Sequence, residues 1–153
     1  MDAVVIRKKF PHEDMPWSLL LLADPSKEAI QKYLDNAEIH LAFIGDELVG
    51  VSVLTKELDI AELRNIAVHE KHRRKGIGRL LVEHAIGQAR NKRALRIEVG
   101  TGNSSALQLS LYQKCGFKII GVEKDFFLKN YKEPIVENGI QCVDMIRLSF
   151  DLK

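Results

Sequence analysis

The sequence predicts an α/β fold in a single domain, residues 1–153: one mixed sheet of about seven strands with helices on both faces. Two observations carry that expectation. Segments with strand chemistry alternate along the chain with segments of helical spacing, and a basic, glycine-containing turn joins one strand directly to one helix.

Residues 4–7 form a short first strand. Pro11, Pro16 and Pro25 punctuate a stretch whose pieces 17–22 and 27–36 have helical character, with Ser26 placed to cap the second. Ile39, Leu41 and Phe43 alternate, Gly45-Asp46 turns the chain, and Val49, Val51 and Val53 alternate again, which is a hairpin. Residues 60–68 are apolar and β-branched enough to be a fourth strand. Beyond them Ile77, Leu80, Leu81 and Ala85 fall at i, i+3, i+4 and i+8, the spacing of a helix with one buried face. Residues 95–99 are a fifth strand closed by Gly100-Thr101-Gly102, and Asn103 is placed to cap a helix that ends near Lys114. Residues 117–127 and 140–150 are the last two strands. The connection 128–139, with Pro134 and Gly139, is long enough to be a functional loop.

Composition narrows the function. A net charge of +2 is too mild to require nucleic acid as a partner, and the basic stretch 69–79 lacks interleaved aromatics. No apolar run approaches the ~18 residues of a membrane span. Two cysteines, Cys115 and Cys142, give no disulfide framework, and no continuous apolar segment opens the chain, so the expected location is cytoplasmic. His69-Glu70-Lys71-His72 has its histidines three apart, without a third ligand at useful spacing, so no metal site is expected.

Arg73-Arg74-Lys75-Gly76-Ile77-Gly78-Arg79 is the most telling segment. It puts bare backbone amides, four cations and a helix N-terminus in one place, which is a site for phosphate. The Walker-type loop is absent. The dinucleotide fingerprint fails as well, because the position three after Gly78 is Leu81.

Arg73-x-x-Gly76-x-Gly78 resembles the pyrophosphate-binding signature of the GCN5-related N-acetyltransferases, the GNAT superfamily. Asn103-x-x-Ala106-x-x-Leu109 followed by Leu111-Tyr112-x-Lys114-x-Gly116-Phe117 resembles that family's later motif, in the right order and at the usual separation. The resemblance implies acetyl-CoA as cosubstrate and a sheet splayed between strands four and five to receive the pantetheine arm. The turn residues Arg73, Arg74, Lys75, Gly76, Ile77, Gly78 and Arg79 would then hold the pyrophosphate. Asn103 would touch pantetheine, and a backbone N–H among Ile66, Ala67 and Val68 would meet the acetyl oxygen. An amine acceptor must lose a proton and the departing thiolate must gain one. The resemblance places Glu62 as the base, with Glu98 in reserve, and Tyr112 as the acid. Exposed-strand and helix-edge packing roles would explain the same three residues without chemistry.

The resemblance further implies that the acceptor rests between the first helical segment and the connection between the last two strands. That connection and its borders carry Glu123, Asp125, Glu133, Glu137 and Asp144 with Phe126, Phe127 and Tyr131, which suits a cationic amine. The stretch 130–147 resembles bacterial members known as aminoglycoside 6'-N-acetyltransferases. A small aminosugar or polyamine is the expected acceptor, a protein or peptide amine its rival, and a non-catalytic acetyl-CoA-binding module the reading from another class. A homodimer is compatible with all of these.

Overall fold

The computed structural model describes residues 3–153. Along the chain lie β1 (Val4–Lys8), α1 (Trp17–Ala23), α2 (Lys27–Leu34), β2 (Glu38–Ile44), β3 (Glu47–Glu57) and β4 (Ile60–Val68). A 3-10 turn (Glu70–His72) leads to α3 (Ile77–Asn91), β5 (Arg96–Gly102), α4 (Ala106–Lys114) and β6 (Lys118–Glu123). The chain closes with α5 (Phe126–Asn130), β7 (Val136–Glu137), β8 (Ile140–Gln141) and β9 (Met145–Asp151).

Seven strands form one sheet in the order β1-β2-β3-β4-β5-β9-β6, while β7 and β8 make a separate two-stranded ribbon. Every neighbouring pair is antiparallel except β4 with β5. That parallel pair follows from the crossover through α3, since a parallel connection needs a dozen or more residues. Helices cover both faces. Leu81, Val82, Ala85, Ile86 and Ala89 of α3 pack with Tyr112 of α4 against Leu54, Leu63, Ile97 and Leu148. On the opposite face Leu19, Leu20 and Ile30 of α1 and α2 cover Leu41, Val51, Val53 and Ala67.

β4 and β5 part company early. Their ladder runs only from Ile60 opposite Arg96 to Leu63 opposite Val99. Beyond it β4 continues along β3 and β5 continues along β9, so the two strands diverge. A bulge helps to open the gap. The β3–β4 register shifts between Val53 and Leu54, which pair with Asn65 and Leu63 and leave Arg64 as the extra residue. The bulge flips the alternation: Ala61 and Leu63 share a core with Ile66, whereas Asn65 and Ala67 turn to the α1 side. Strict period-two reading of the strand places Asn65 and Ala67 on the wrong face.

Other expectations need correction. Leu80 is 44% exposed, because the buried stripe of α3 runs through Ile77, Leu81 and Val82 instead. Phe126 and Phe127 belong to α5, not to a strand, since β6 stops at Glu123 and Asp125 takes a left-handed conformation. The final strand is broken: Ile140–Gln141 pairs with β7, and only Met145–Asp151 joins the sheet. α2 ends at Leu34, two residues before the expected end, and α4 is preceded by Ser105 rather than capped by Asn103. Ser26 caps α2 as its position implies, accepting the Ala29 N–H at 3.1 Å.

Candidate functional site

The divergence of β4 and β5 leaves backbone groups without ladder partners. His69 N–H donates to Val49 O at 2.8 Å, and antiparallel alternation then turns the N–H groups of Ile66 and Val68 to the other edge, toward the gap. Directly below lies the basic turn. Arg74 (φ 65°) and Gly76 (φ 79°) both take left-handed conformations, and α3 begins at Ile77 with no capping side chain. Its first-turn amides are therefore open at the positive end of the helix dipole. Arg73 Nε donates to Val68 O at 3.4 Å, tying the turn to the end of β4.

The two glycines differ in kind. A Cβ built on Gly76 would meet nothing within 4 Å, so the backbone conformation and the open space in front of it are what a side chain would disturb. One on Gly78 would stand 3.4 Å from Leu111 Cδ2, so this glycine also lets α3 pack closely on α4.

A cleft of about 510 Å³ runs over this turn, walled by Ile66, Ala67, Val68, Arg73, Arg74, Gly76, Ile77 and Gly78 with Leu107, Gln108 and Leu111 of α4. It continues past Ile66 and Gln108 into a second cleft of about 340 Å³ between β4 and β5, walled by Asn65, Val99, Gly100, Thr101, Tyr112, Asp24, Phe127, Tyr131 and Cys142. Three of the expected cofactor residues lie outside the walls. Lys75 contacts His72 Nδ1 at 3.3 Å, Arg79 pairs with Glu83 along the helix at 3.1 Å, and Asn103 faces elsewhere. Asn103 Oδ1 accepts the N–H groups of Val143 (2.7 Å) and Asp144 (3.0 Å), and its Nδ2 donates to Gln141 O, so it latches the corner between β8 and β9.

Tyr112 is 4% exposed and reaches the smaller cleft from α4. Burial, reinforced by nearby Cys115, pushes its hydroxyl well above the ordinary tyrosine range, so it is protonated at neutral pH. Glu62 lies apart from it, on a groove of about 1000 Å³ shared with Tyr33, Arg64, Glu123, Phe126, Tyr131 and Arg147. Its Oε2 is held by Arg147 Nη1 at 3.3 Å and Arg64 Nη1 at 3.5 Å. Glu98, opposite it on β5, is held by Arg96 at 2.7 Å and Arg147 at 3.1 Å. Burial works to raise the Glu98 carboxyl, but the two guanidinium groups outweigh it and hold it below the usual range.

Sequence reasoning missed Asp24, Asn65 and Gln108, all in the cleft walls. Asn65 owes its position to the bulge, and Asp24 to the turn that ends α1. Gln108 offered no signal beyond its place within the later motif. Among the described residues the buried Oε1 of Gln108 has no hydrogen-bond donor. Uncapped helix amides at one end, unpaired strand N–H groups at the other and an acceptor between them suit acetyl-CoA, which brings phosphates, amide N–H groups and a thioester carbonyl in that order.

Comparison with known proteins agrees. Residues 8–117 match the family model described as the acetyltransferase (GNAT) family. This chain belongs to that family. It is 54% identical over 140 residues to an uncharacterized N-acetyltransferase, YvbK, of Bacillus subtilis strain 168, covering 91% of this chain and 90% of the relative. A GNAT family acetyltransferase from Elizabethkingia anophelis, solved with acetyl-CoA bound, superposes with a TM-score of 0.96 at 46% identity, over 99% of this chain and 100% of the other. An IAA acetyltransferase from Bacillus cereus superposes at 0.93 and 48% identity, over 98% and 100%. This GNAT chain is an acetyl-CoA-dependent N-acetyltransferase with the mixed, splayed sheet of its family.

Proposed function

We propose that this enzyme transfers the acetyl group to a small cationic amine of the aminosugar or polyamine kind, by direct attack of the amine on the thioester. One observation carries the reading: on the acceptor side of the β4–β5 gap, carboxylates and aromatic rings converge while the deepest cation is already neutralised. Asp24 and Glu137 wall the smaller cleft, with Phe127 and Tyr131 beside them and Arg64 as the cation of that wall. Arg147 faces three carboxylates, Glu62, Glu98 and Glu123, at 3.3, 3.1 and 3.9 Å. An ammonium entering there meets unspent negative charge and π faces. Of the residues expected to attract it, Glu133 lies on a separate pocket beside Lys27 and Lys132. Asp144 is committed to the Asp125 N–H at 2.8 Å.

In this reading Arg73, Arg74 and the α3 amides hold the pyrophosphate, and the Ile66 and Val68 N–H groups meet the acetyl oxygen. Tyr112 gives its proton to the leaving sulfur. The acceptor's proton leaves toward the acidic wall, where Glu62 and Asp24 are the candidates.

CoA release measured across aminoglycosides, polyamines, IAA and a peptide with a free α-amine tests the acceptor class. Turnover of the first two groups is expected. Turnover of the peptide alone would assign the enzyme to protein substrates, and acetyl-CoA binding without turnover of anything would make it a sensor.

A further inference from the structure

Asp24 closes α1 and is the carboxylate that walls both the smaller cleft and the acceptor groove. Its Oδ1 accepts the Ser26 N–H at 3.1 Å and the Tyr131 hydroxyl at 3.0 Å. Among the described residues no donor reaches Oδ2. The carboxylate is thus fixed through one oxygen and presents the other. Glu62 and Glu98 are instead each held by two guanidinium groups, and in Glu98 that pairing holds the carboxyl below its usual range.

A second polar group in the same wall lacks a donor. Asn65 is 4% exposed, and its Nδ2 donates to Leu20 O and to Tyr33 Oη, both at 3.1 Å. Because a carbonyl oxygen only accepts, the amide cannot be turned over, and Oδ1 remains buried without a donor. A carboxylate oxygen that no described donor reaches and a buried amide oxygen without one, in the same cleft wall, fit a ligand that brings N–H bonds and positive charge.

Resting on the cationic-amine reading above, we propose that Asp24 is the proton acceptor of the transfer, with Tyr131 as the residue that positions it. Asp24 Oδ2 takes one proton from the bound ammonium, which frees the nitrogen lone pair to form the bond to the acetyl carbon, and the second proton that this nitrogen sheds as the amide forms passes to solvent. The carbon–sulfur bond breaks with its electron pair on sulfur, and the Tyr112 hydroxyl gives that sulfur its proton. Solvent returns the Asp24 proton to Tyr112, so one ammonium and one thioester become one amide, one thiol and one proton released to solvent. The surroundings favour proton uptake, since burial raises the Asp24 carboxyl above the usual aspartate range, against the Ser26 amide and the Tyr131 hydroxyl, which pull it down. Facing it are Tyr131 from the end of α5, Tyr33 of α2, Arg64 of β4, and Glu137 and Cys142 across the cleft.

The test uses n-butylamine and putrescine as acceptors at saturating acetyl-CoA. Asp24→Asn is expected to keep wild-type affinity for acetyl-CoA and to lose kcat by ~10²-fold at neutral pH, the deficit narrowing as pH rises and the amine deprotonates in solution. Tyr131→Phe removes one downward pull on Asp24, so the acid limb of kcat/KM moves to higher pH. Turnover by Asp24→Asn within about threefold of wild type, or an acid limb that stays in place in Tyr131→Phe, overturns the assignment. A wild-type enzyme that binds acetyl-CoA but releases no CoA with either amine refutes the acceptor class instead. Titration of n-butylammonium into the CoA-bound protein then decides Asp24 on its own: binding lost in Asp24→Asn supports it, and equal binding, or none in either protein, overturns it.

Discussion

Glu62 and Glu98 stand opposite each other on the one parallel ladder of the sheet, and Arg147 of β9 bridges them at 3.3 and 3.1 Å. Two carboxylates so placed repel unless a cation lies between them. Arg147→Leu is therefore expected to destabilise the fold by about 1–3 kcal/mol at neutral pH, less than a fully buried pair would cost. Glu98 is held below its usual range in the fold, so its contribution is present above the unfolded pKa and fades as pH falls through the folded one. Urea titrations at pH 7 and pH 4 should show the gap between wild type and variant shrinking at the lower pH; a constant gap would mean that the charges do not matter.

Gly76→Val combines a β-branched residue with a φ of 79° and pushes a side chain into the space before the α3 amides. Acetyl-CoA affinity is expected to fall at least ~10²-fold, several lost phosphate hydrogen bonds being worth about 1.5–3 kcal/mol each. Calorimetric titration measures it. Gly87→Ala serves as control: it lies inside α3 with open space around it and should gain about 0.5–1 kcal/mol of stability without changing affinity.

Tyr112→Phe keeps the ring in its packing with Phe117 and removes only the hydroxyl. If that hydroxyl protonates the leaving sulfur, kcat drops ~10²-fold while the acetyl-CoA dissociation constant stays near wild type. Loss of both together would instead point to a packing role.

His40, 4% exposed, meets His84 edge-on at 4.7 Å between β2 and α3. Burial, with smaller contributions from His84 and Lys8, lowers its pKa from 6.5 to about 4. The unfolded chain thus binds a proton more readily than the fold does. Stability from this residue is complete above pH 6.5 and is lost as pH falls toward 4, on the order of 2–3 kcal/mol over that window. Denaturant midpoints should fall between those limits in wild type and flatten in His40→Gln; parallel curves would exonerate the histidine.

Local chemistry alone determined most of the element order, the hairpin at Gly45-Asp46 and the strand–turn–helix around Gly76, because alternation, helical spacing and glycine conformations are properties of short segments. The family resemblance, not local chemistry, joined Ile66, Ala67 and Val68 to the turn, and in the fold they share one cleft wall with Arg73, Arg74, Gly76, Ile77 and Gly78. What local chemistry could not contain is where side chains from distant segments meet. The Arg64 bulge turns Asn65 into the cleft wall, Asn103 serves a corner about forty positions away, and Tyr131 reaches Asp24 across 107 positions. Arg147 takes up both Glu62 and Glu98 only because β9 lies beside β5 in the sheet. Whether a carboxylate is free to take a proton depends on which cation lies next to it in space, and tertiary packing alone decides that.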